Sequence, residues 1–372
     1  FPGNIRELEN ILEQLGEHRD LAEALRNHAE VVSDMSSRSD LLGRAGKLYE
    51  ALEDPEEASA VYDEALLADP NRLDVLRAIQ NIARDREDWD RFSEMMGQEL
   101  VVLDQEELKA LEDQEASEGL EEADGQEIQE QQSEQDNSRR VELHRELATV
   151  LSRHLDDAYG ALVHLDKAVA LVPGDMEFWR LMLSLATEVG KAEDEARSLE
   201  ALLASETITE VDRTQYLHSL AVLRTEVLPI ADQALDAWSK YLDRAPSDRS
   251  GHESYLELLE RERQHRSLVD HLGRLAGLEE ILFESQERVD LRYRQAEVLF
   301  QDLRASDEAA SHLERLVDEF SDYERGWDLL ERIYREGEDK ESLANMLNRR
   351  VNVIDDDDDA VALLREAASL YG

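Results

Sequence analysis

The side chains best suited to metal or acid–base chemistry in this sequence are its ten histidines, and their spacing matches no familiar site. A zinc-peptidase helix carries two histidines four residues apart in an HExxH pattern, and no two histidines here have that spacing. His265 and His271 are six apart, which places them on opposite faces of a helix, so we expect both on the surface rather than in a metal site. The full set is His18, His28, His144, His154, His164, His218, His252, His265, His271 and His312.

Other residue patterns for catalysis are also missing. The chain has no cysteine, which excludes thiolate nucleophiles, thiolate metal sites and disulfides. It contains no GxxxxGK[ST] phosphate loop, no GxGxxG dinucleotide turn and no GxSxG nucleophile turn. The sequence therefore predicts a protein without enzymatic activity, without a cofactor and without a bound metal.

Carboxylates are abundant but point to no single site. Asp and Glu total 89 against 41 Lys and Arg, a formal charge of -48. A surface of this sign disfavours binding to nucleic-acid phosphates and to anionic membranes. Two interpretations remain open: a basic protein partner, or solubility in a salty cytoplasm, where ions screen the self-repulsion.

The densest acidic run is the five aspartates from Asp355 to Asp359. Calcium binding is one interpretation, but the EF-hand spacing with its central Gly and final Glu is absent. We interpret the run as a solvated loop whose last residue, Asp359, caps a helix that begins near Ala360.

The elements that would position any site form an internal repeat of about seventy residues. Small residues recur thirteen apart, a turn residue follows twelve later, and a second turn position follows nineteen beyond that. Four copies keep these offsets: Ala45, Ala58, Pro70 and Trp89; Ala148, Ala161, Pro173 and Ala192; Ala221, Ala234, Pro246 and His265; Ala296, Ala309, Ser321 and Lys340.

Each copy has apolar residues at helical spacing in four stretches, as in Leu41, Leu42, Ala45 and Leu48 of copy one. Only 6 Pro and 16 Gly interrupt the chain, and Val, Ile and Thr are sparse. The fold class predicted is all-α: two helical hairpins per copy, stacked so that each covers the apolar face of the next.

The spacing within the first hairpin resembles the tetratricopeptide-repeat (TPR) family, in long arrays of the bacterial type. That family pairs a small residue in its first helix with Ala, a large residue, Ala and Pro in its second, as in Ala58, Tyr62, Ala65 and Pro70. The match weakens towards Ala309, Leu313, Leu316 and Ser321. The resemblance implies a right-handed α-solenoid that binds a protein or peptide in its concave groove.

The resemblance also implies where that groove lies. Its lining positions are three before, one after and four after the small residue of each first helix. These are Leu42, Gly46 and Tyr49; Arg145, Thr149 and Ser152; His218, Val222 and Thr225; Tyr293, Glu297 and Phe300. We expect Tyr49, Arg145, His218, Tyr293 and Phe300 to contact an extended partner segment with apolar or aromatic anchors. The alternative is that Tyr49 and Phe300 pack against the next helix.

One segment departs from the repeat. Residues 105–136 are rich in Glu and Gln, with almost no large apolar side chains, and we expect a disordered acidic insertion there. The predicted organisation is a partial unit plus unit one (1–104), the insertion (105–136), and units two to four with the start of a fifth (137–372).

The first residues, FPGNIRELEN, resemble the Arg-bearing sensor motif of bacterial enhancer-dependent activators, in which Arg6 would face nucleotide. The absence of a phosphate loop opposes that function, and residues 2–36 also fit half a repeat in phase. A regulatory module of a longer enzyme, such as an ATPase-type activator or a kinase, therefore remains the alternative to a scaffold, and a ligand-free spacer is a third possibility.

No apolar run approaches the length that spans a membrane, and no signal peptide is visible. We expect a cytoplasmic location. The chain starts at Phe1 rather than Met, so it can be a piece of a longer protein. Nothing in the sequence predicts the oligomeric state.

Overall fold

A computed structural model describes residues 2–117, 123–277, 284–354 and 356–370. Within these ranges the secondary structure is nineteen α-helices and one short 3-10 helix, with no strand. The predicted all-α fold of consecutive hairpins is confirmed. The chain divides into two compact units, Phe1–Leu202 and Leu203–Gly372. Those bounds differ from the predicted organisation (1–104, 105–136, 137–372), which stays a prediction, as does the handedness of a superhelix.

The first unit contains ten helices, the last of which reaches the boundary between the units. They are α1 (Pro2–Leu15), α2 (His18–Val31), α3 (Met35–Ala51), α4 (Pro55–Ala68), α5 (Leu73–Asp85), α6 (Trp89–Ser117), α7 (Ala123–Arg153), α8 (Ala158–Leu171), α9 (Met176–Val189) and α10 (Ala192–Ala204).

The second unit contains nine α-helices within its described residues. They are α11 (Glu210–Glu226), α12 (Ala231–Arg244), α13 (Arg249–Arg261), α14 (His265–Gly277), α15 (Ser285–Gln301), α16 (Ser306–Glu319), α17 (Glu324–Glu336), α18 (Lys340–Arg350) and α19 (Asp357–Leu370). The short 3-10 helix Val351–Val353 follows α18.

The repeated small residues sit at the centres of the hairpins. Ala45 on α3 and Ala58 on α4 are fully buried, as are the equivalent alanines of the other three copies. A small side chain there lets two helices approach closely. Gly46 shows how close: a Cβ atom on it would lie 2.3 Å from the ring of Tyr62. The hairpin contact therefore needs glycine at this position.

Sharp turns between helices recur in phase with the repeat. Helices α6, α14 and α18 each follow a non-glycine residue with a left-handed backbone: Glu87 (φ 56°), Arg263 (φ 54°) and Glu338 (φ 54°). Copy two has Gly190 (φ 71°) at the same position, which adopts this conformation at lower cost. Substantial contacts join helices that are consecutive in the chain, apart from a smaller one between α15 and α17.

The structure differs from the sequence at the predicted insertion. Helix α6 continues to Ser117 and α7 already begins at Ala123, so 105–117 and 123–136 are helical rather than irregular. Glu, Gln, Leu and Ala are good helix formers, which explains how the chain continues a helix without a large apolar face. Residues 118–122 of the predicted insertion lie outside the described residues.

The first and last helices test two predictions made from the sequence. Residues Pro2–Leu15 form helix α1, as the half-repeat interpretation requires, whereas the side chain of Arg6 lies outside the described residues. The aspartate run caps α19 earlier than expected. The side chain of Asp356 accepts hydrogen bonds from the backbone N–H groups of Asp358 (2.8 Å) and Asp359 (3.1 Å). The cap is thus Asp356 rather than Asp359, because the helix begins at Asp357.

Candidate functional site

Four of the twelve predicted groove positions are not available to a ligand. Leu42, Gly46, Tyr49 and Phe300 are buried, with Tyr49 and Phe300 each 4% exposed. Desolvation raises the pKa of Tyr49, in keeping with that burial. Arg332 lies over the Phe300 ring at 5.2 Å. The expectation that Tyr49 and Phe300 face a partner is corrected in favour of the packing alternative.

The exposed candidate in copy two is Arg145 on α7. Its Nη2 lies 2.9 Å from Oδ2 of Asp175, the residue that caps α9. The guanidinium also lies 4.7 Å from the ring centre of Phe178 in the first turn of α9. Arg145 therefore bridges the first helix of its own hairpin and the start of the next hairpin, with half of its side chain open to solvent.

The candidate in copy three is His218 on α11, which belongs to an aromatic cluster. Its ring centre lies 5.7 Å from that of Trp238 and 4.9 Å from that of Tyr241. Tyr241 donates a hydrogen bond to Asp248 (2.7 Å), and burial together with this bond raises the pKa of Tyr241 to about 12. Burial opposes ionisation of Asp248, yet the hydrogen bonds from Tyr241 and Ser250 leave its pKa lowered.

An open cavity of about 560 Å³ lies over this cluster. Its lining consists of Tyr241 on α12 and five residues of α11: Glu210, Val211, Thr214, Gln215 and His218. Val211 is 76% exposed there. The cavity combines apolar and aromatic surface with a few polar groups, which is the composition of surfaces that accept an anchoring side chain.

The candidate in copy four is Tyr293 on α15. Its ring meets that of Tyr323 edge to face at 5.8 Å, and the guanidinium of Arg325 lies 4.3 Å above it. Tyr323 donates a hydrogen bond to Asp290 at 2.7 Å. The Tyr293 side chain is partly exposed.

These three contacts are equivalent in the repeat. In copies two, three and four the residue three before the repeated alanine of the first helix meets the residue two after the turn proline or serine, directly or through one intervening side chain. We call this contact a hairpin junction; its pairs are Arg145–Asp175, His218–Asp248 and Tyr293–Tyr323. The first lies in one unit and the other two in the second. The predicted positions thus fall on one structural feature, although no distance joins the three into a groove.

A second recurring feature was missed from the sequence: a polar site between successive hairpins. Glu99 on α6 is fully buried and accepts hydrogen bonds from Arg77 (2.8 Å), Gln80 (2.8 Å) and Arg139 (3.0 and 3.1 Å). Burial opposes its ionisation, but these bonds leave the pKa of Glu99 lowered. We call this the inter-hairpin site. The available signal was a charged residue at a repeat position that Leu202 and Leu275 occupy in copies two and three.

Copy four has the inter-hairpin site with inverted charge. Arg350 occupies the position of Glu99, and it contacts Asp328 (2.7 Å) and Glu331 (2.9 Å), which stand where Arg77 and Gln80 stand in copy one. Arg350 is 18% exposed, so this version of the site is partly solvated.

Two histidine pairs, one partly buried and one buried, were also missed. His144 and His164 approach to 3.0 Å between their Nδ1 atoms, and His252 Nδ1 lies 3.0 Å from His271 Nε2. His271 is 3% exposed, so the expectation that it lies on the surface is wrong. Its repeat position is that of Met95 and Met346, which are buried in copies one and four.

Geometry assigns the protons of the second pair. His252 Nε2 lies 3.0 Å from the carbonyl oxygen of Pro246 and must donate to it, so the Nδ1 of His252 accepts from His271 Nε2–H. The Nδ1 of His271 is then a buried acceptor without a partner. Burial, the neighbouring His252 and Arg274 lower the pKa of His271 to about 3.

The described residues hold neither a metal-binding cluster nor a membrane-spanning helix. Among them, no cluster of three or more His, Asp or Glu side chains has the geometry to hold a metal ion. No helix in the described ranges is both long enough and apolar enough to cross a membrane.

No protein-family model matches the chain, and no curated protein matches it. Among solved structures, the chain is similar to the TPR domain of P58(IPK), with 13% identity and a TM-score of 0.28 over 100% of this chain and 98% of that one. It is similar to YrrB, described as a TPR protein with an unusual peptide-binding site, with 18% identity and a TM-score of 0.29 over 62% and 96%. It is also similar to yeast Tom70, with 12% identity and a TM-score of 0.26 over 100% and 95%. Because these identities and TM-scores are low, the helical-repeat fold is assigned from the helices and contacts of this chain itself.

Proposed function

We propose that this chain is a non-catalytic scaffold that binds a protein segment across its hairpin junctions. The observation that carries the proposal is the open cavity lined by His218 and Tyr241, where the partly exposed His218 and the exposed Val211 lie beside polar side chains of α11. Arg and aromatic side chains are the groups that most often contribute binding energy at interfaces. Arg145 and Tyr293 supply such groups at the other two junctions.

The partner segment is extended, because copies two, three and four each have one junction and an extended chain can offer side chains at intervals. An apolar or aromatic side chain of the partner occupies the cavity beside His218. A different stretch of the partner makes polar contacts with Arg145, which lies in the first unit. Catalysis has no role in this function, and no cofactor is required.

The test replaces Arg145, His218 and Tyr293 together with Ala. Partners captured from cell extract after crosslinking are quantified by mass spectrometry for the wild type and the variant. We expect capture of the main partner to fall at least about tenfold, because a single interface hot spot contributes about 2 kcal/mol or more. The matched control is Arg180→Ala with His18→Ala and Tyr159→Ala, which changes the same residue types at other exposed positions. Equal capture by both variants would contradict the proposal.

A further inference from the structure

A cavity of about 260 Å³ lies in copy three between α13, α14 and α15. Its apolar lining comes from Leu256, Leu275 and Leu291. Leu275 is 1% exposed and Leu256 is 6% exposed, so these two lie at its base. The acidic side chains around it are Glu253, Glu287 and Asp290.

This cavity is the copy-three version of the inter-hairpin site. Glu253, Leu256, Leu275 and Glu287 occupy the repeat positions of Arg77, Gln80, Glu99 and Arg139 in copy one. Where copy one has a buried carboxylate held by two arginines, copy three has two carboxylates and a leucine. The charge around the site is inverted, and the centre holds no ion of its own.

Copy four shows what an acidic inter-hairpin site accommodates. Asp328 occupies the position of Glu253, and it contacts the guanidinium of Arg350 at 2.7 Å. Arg350 occupies the position of Leu275. The protein therefore already places a guanidinium in this site when the surrounding side chains are acidic.

Two arginines also line the cavity, and both are engaged by carboxylates: Arg249 by Glu253 and Glu287 of the cavity itself, and Arg294 by Glu260 outside it. Arg249 contacts Glu253 at 3.0 Å and Glu287 at 2.8 Å, and hydrogen bonding from Arg249 lowers the pKa of Glu287. Arg294 pairs with Glu260. Glu253 is more than half exposed and Asp290 is exposed, so both can meet a further cation.

We propose that the cavity between α13, α14 and α15 binds a single arginine or lysine side chain of a polypeptide partner. The methylene groups of that side chain lie on Leu256, Leu275 and Leu291, and its charged end lies between Glu253 and Asp290. This inference names the chemistry of the partner and rests on the proposed function for the partner being a polypeptide. Asp290 accepts the hydrogen bond of Tyr323, which meets Tyr293, so the cavity adjoins the junction of copy four.

The net charge of -48 favours a basic partner but cannot by itself select one site. The test must therefore distinguish binding in this cavity from general electrostatic attraction between a basic peptide and the acidic protein. The probe is the fluorescein-labelled peptide Gly-Leu-Arg-Leu-Gly, compared with the same peptide carrying citrulline, which keeps the shape of arginine and loses its charge. Fluorescence anisotropy in 0.15 M salt, at which the Debye length is about 8 Å, measures the Kd of each peptide.

We expect the citrulline peptide to bind about tenfold more weakly than the arginine peptide. The variant Glu253→Gln with Asp290→Asn should weaken binding of the arginine peptide by about the same factor, while Asn keeps the acceptor for Tyr323. The matched control, Glu257→Gln with Asp270→Asn, removes two exposed charges from the neighbouring faces of α13 and α14 and should change the Kd by less than about twofold.

A third variant, Leu275→Arg, copies Arg350 into copy three and should block the peptide by filling the cavity from within. Its helicity is checked by circular dichroism, and the Glu253 and Asp290 variant decides the matter if Leu275→Arg does not fold. The proposal is overturned by equal affinity for the citrulline peptide, by equal loss in the control variant, or by no saturable binding of the arginine peptide. Each of these outcomes leaves the result for the Arg145, His218 and Tyr293 variant unaffected, so failure here is distinct from failure of the proposed function.

Discussion

The inter-hairpin site of copy one and that of copy four occupy the same repeat position with opposite charges. In copy one a carboxylate, Glu99, lies fully buried among Arg77, Gln80 and Arg139. In copy four a guanidinium, Arg350, lies between Asp328 and Glu331 with 18% of its side chain exposed. The same helix geometry therefore accepts either sign, provided that the neighbours change with it.

The difference between them is solvation. A buried ion that loses its partners carries a large desolvation cost, whereas a partly exposed ion is solvated by water instead. Glu99 has exchanged all of its water for hydrogen bonds, and Arg350 has kept some. We therefore expect the two sites to contribute very differently to stability although they look alike on a list of ion pairs.

The largest expected effect on stability comes from replacing the central ion of each inter-hairpin site, Glu99 or Arg350, in separate variants. Glu99→Leu leaves Arg139 and Arg77 around a leucine, and we expect the free energy of unfolding to fall by about 3 kcal/mol, as for a broken buried pair. Arg350→Leu should cost about 1 kcal/mol, because Asp328, which it leaves without a partner, is 65% exposed and is solvated by water instead. Urea denaturation followed by circular dichroism measures both.

Glu94→Leu is the control for this pair, because Glu94 lies on the same helix as Glu99 with 64% of its side chain exposed. Its effect should stay within about 0.5 kcal/mol. Similar losses for Glu99→Leu and Arg350→Leu would show that solvation does not distinguish the two sites.

Acid should separate these charged sites from His271 and His144, whose lowered pKa keeps each ring neutral. Burial, followed by neighbouring positive charge, lowers the pKa of His271 to about 3 and that of His144 to about 4, from 6.5. The unfolded chain binds these protons first, so the stabilising contribution is complete above pH 6.5 and is lost as the pH falls. For His271 alone this amounts to about 2 kcal/mol at pH 5.

His271→Gln tests this assignment. Glutamine keeps an N–H donor for His252 and cannot titrate, so we expect the variant to lose about 2 kcal/mol less than the wild type between pH 7.5 and pH 5. At pH 7.5 the two proteins should differ by less than about 1 kcal/mol, because the amide oxygen of glutamine replaces the Nδ1 of His271 as an unpartnered buried acceptor. Identical losses in acid would mean that His271 does not remain neutral in the folded protein.

The smallest expected effect concerns the turns that precede the two sites. Glu87 (φ 56°) leads into the helix of Glu99, and Glu338 (φ 54°) leads into the helix of Arg350. Replacing either with Gly relieves the left-handed backbone and should raise stability by about 0.5 kcal/mol after the entropy of glycine in the unfolded chain is counted. Thermal melts of both variants should show equal gains. If the two variants gained different amounts of stability, part of the stability difference between the two sites would come from these turns.

The repeat made the fold predictable from the sequence. Ala45, Ala58 and Pro70 recur with fixed spacing, and the structure places a hairpin wherever they recur. The segment 105–136 could not be predicted in the same way, because its residues favour helix by propensity while they lack the apolar face on which the repeat pattern depends. In this segment the helix propensity of the residues predicts a helix, whereas the lack of apolar residues to bury predicts disorder.

The candidate site was less predictable, because the type of a residue and its position in the repeat can predict different degrees of burial. His271 was assigned to the surface because its six-residue spacing from His265 fits no metal site, although its phase in the repeat matches that of the buried Met95 and Met346. Tyr49 and Phe300 hold positions that face outwards in the family pattern, yet their bulk is buried. His218 and Tyr293 remain partly exposed, because each stands on a junction where the next hairpin begins.

The restriction of contacts to neighbouring helices has a consequence for how the chain acquires its structure during synthesis. Each hairpin finds its partners within the preceding seventy or so residues, so little chain entropy is lost in closing distant loops. A growing chain can therefore complete one hairpin on the ribosome before the next emerges, with the amino-terminal copies ready to serve as a template. We expect the order of folding to follow the order of translation.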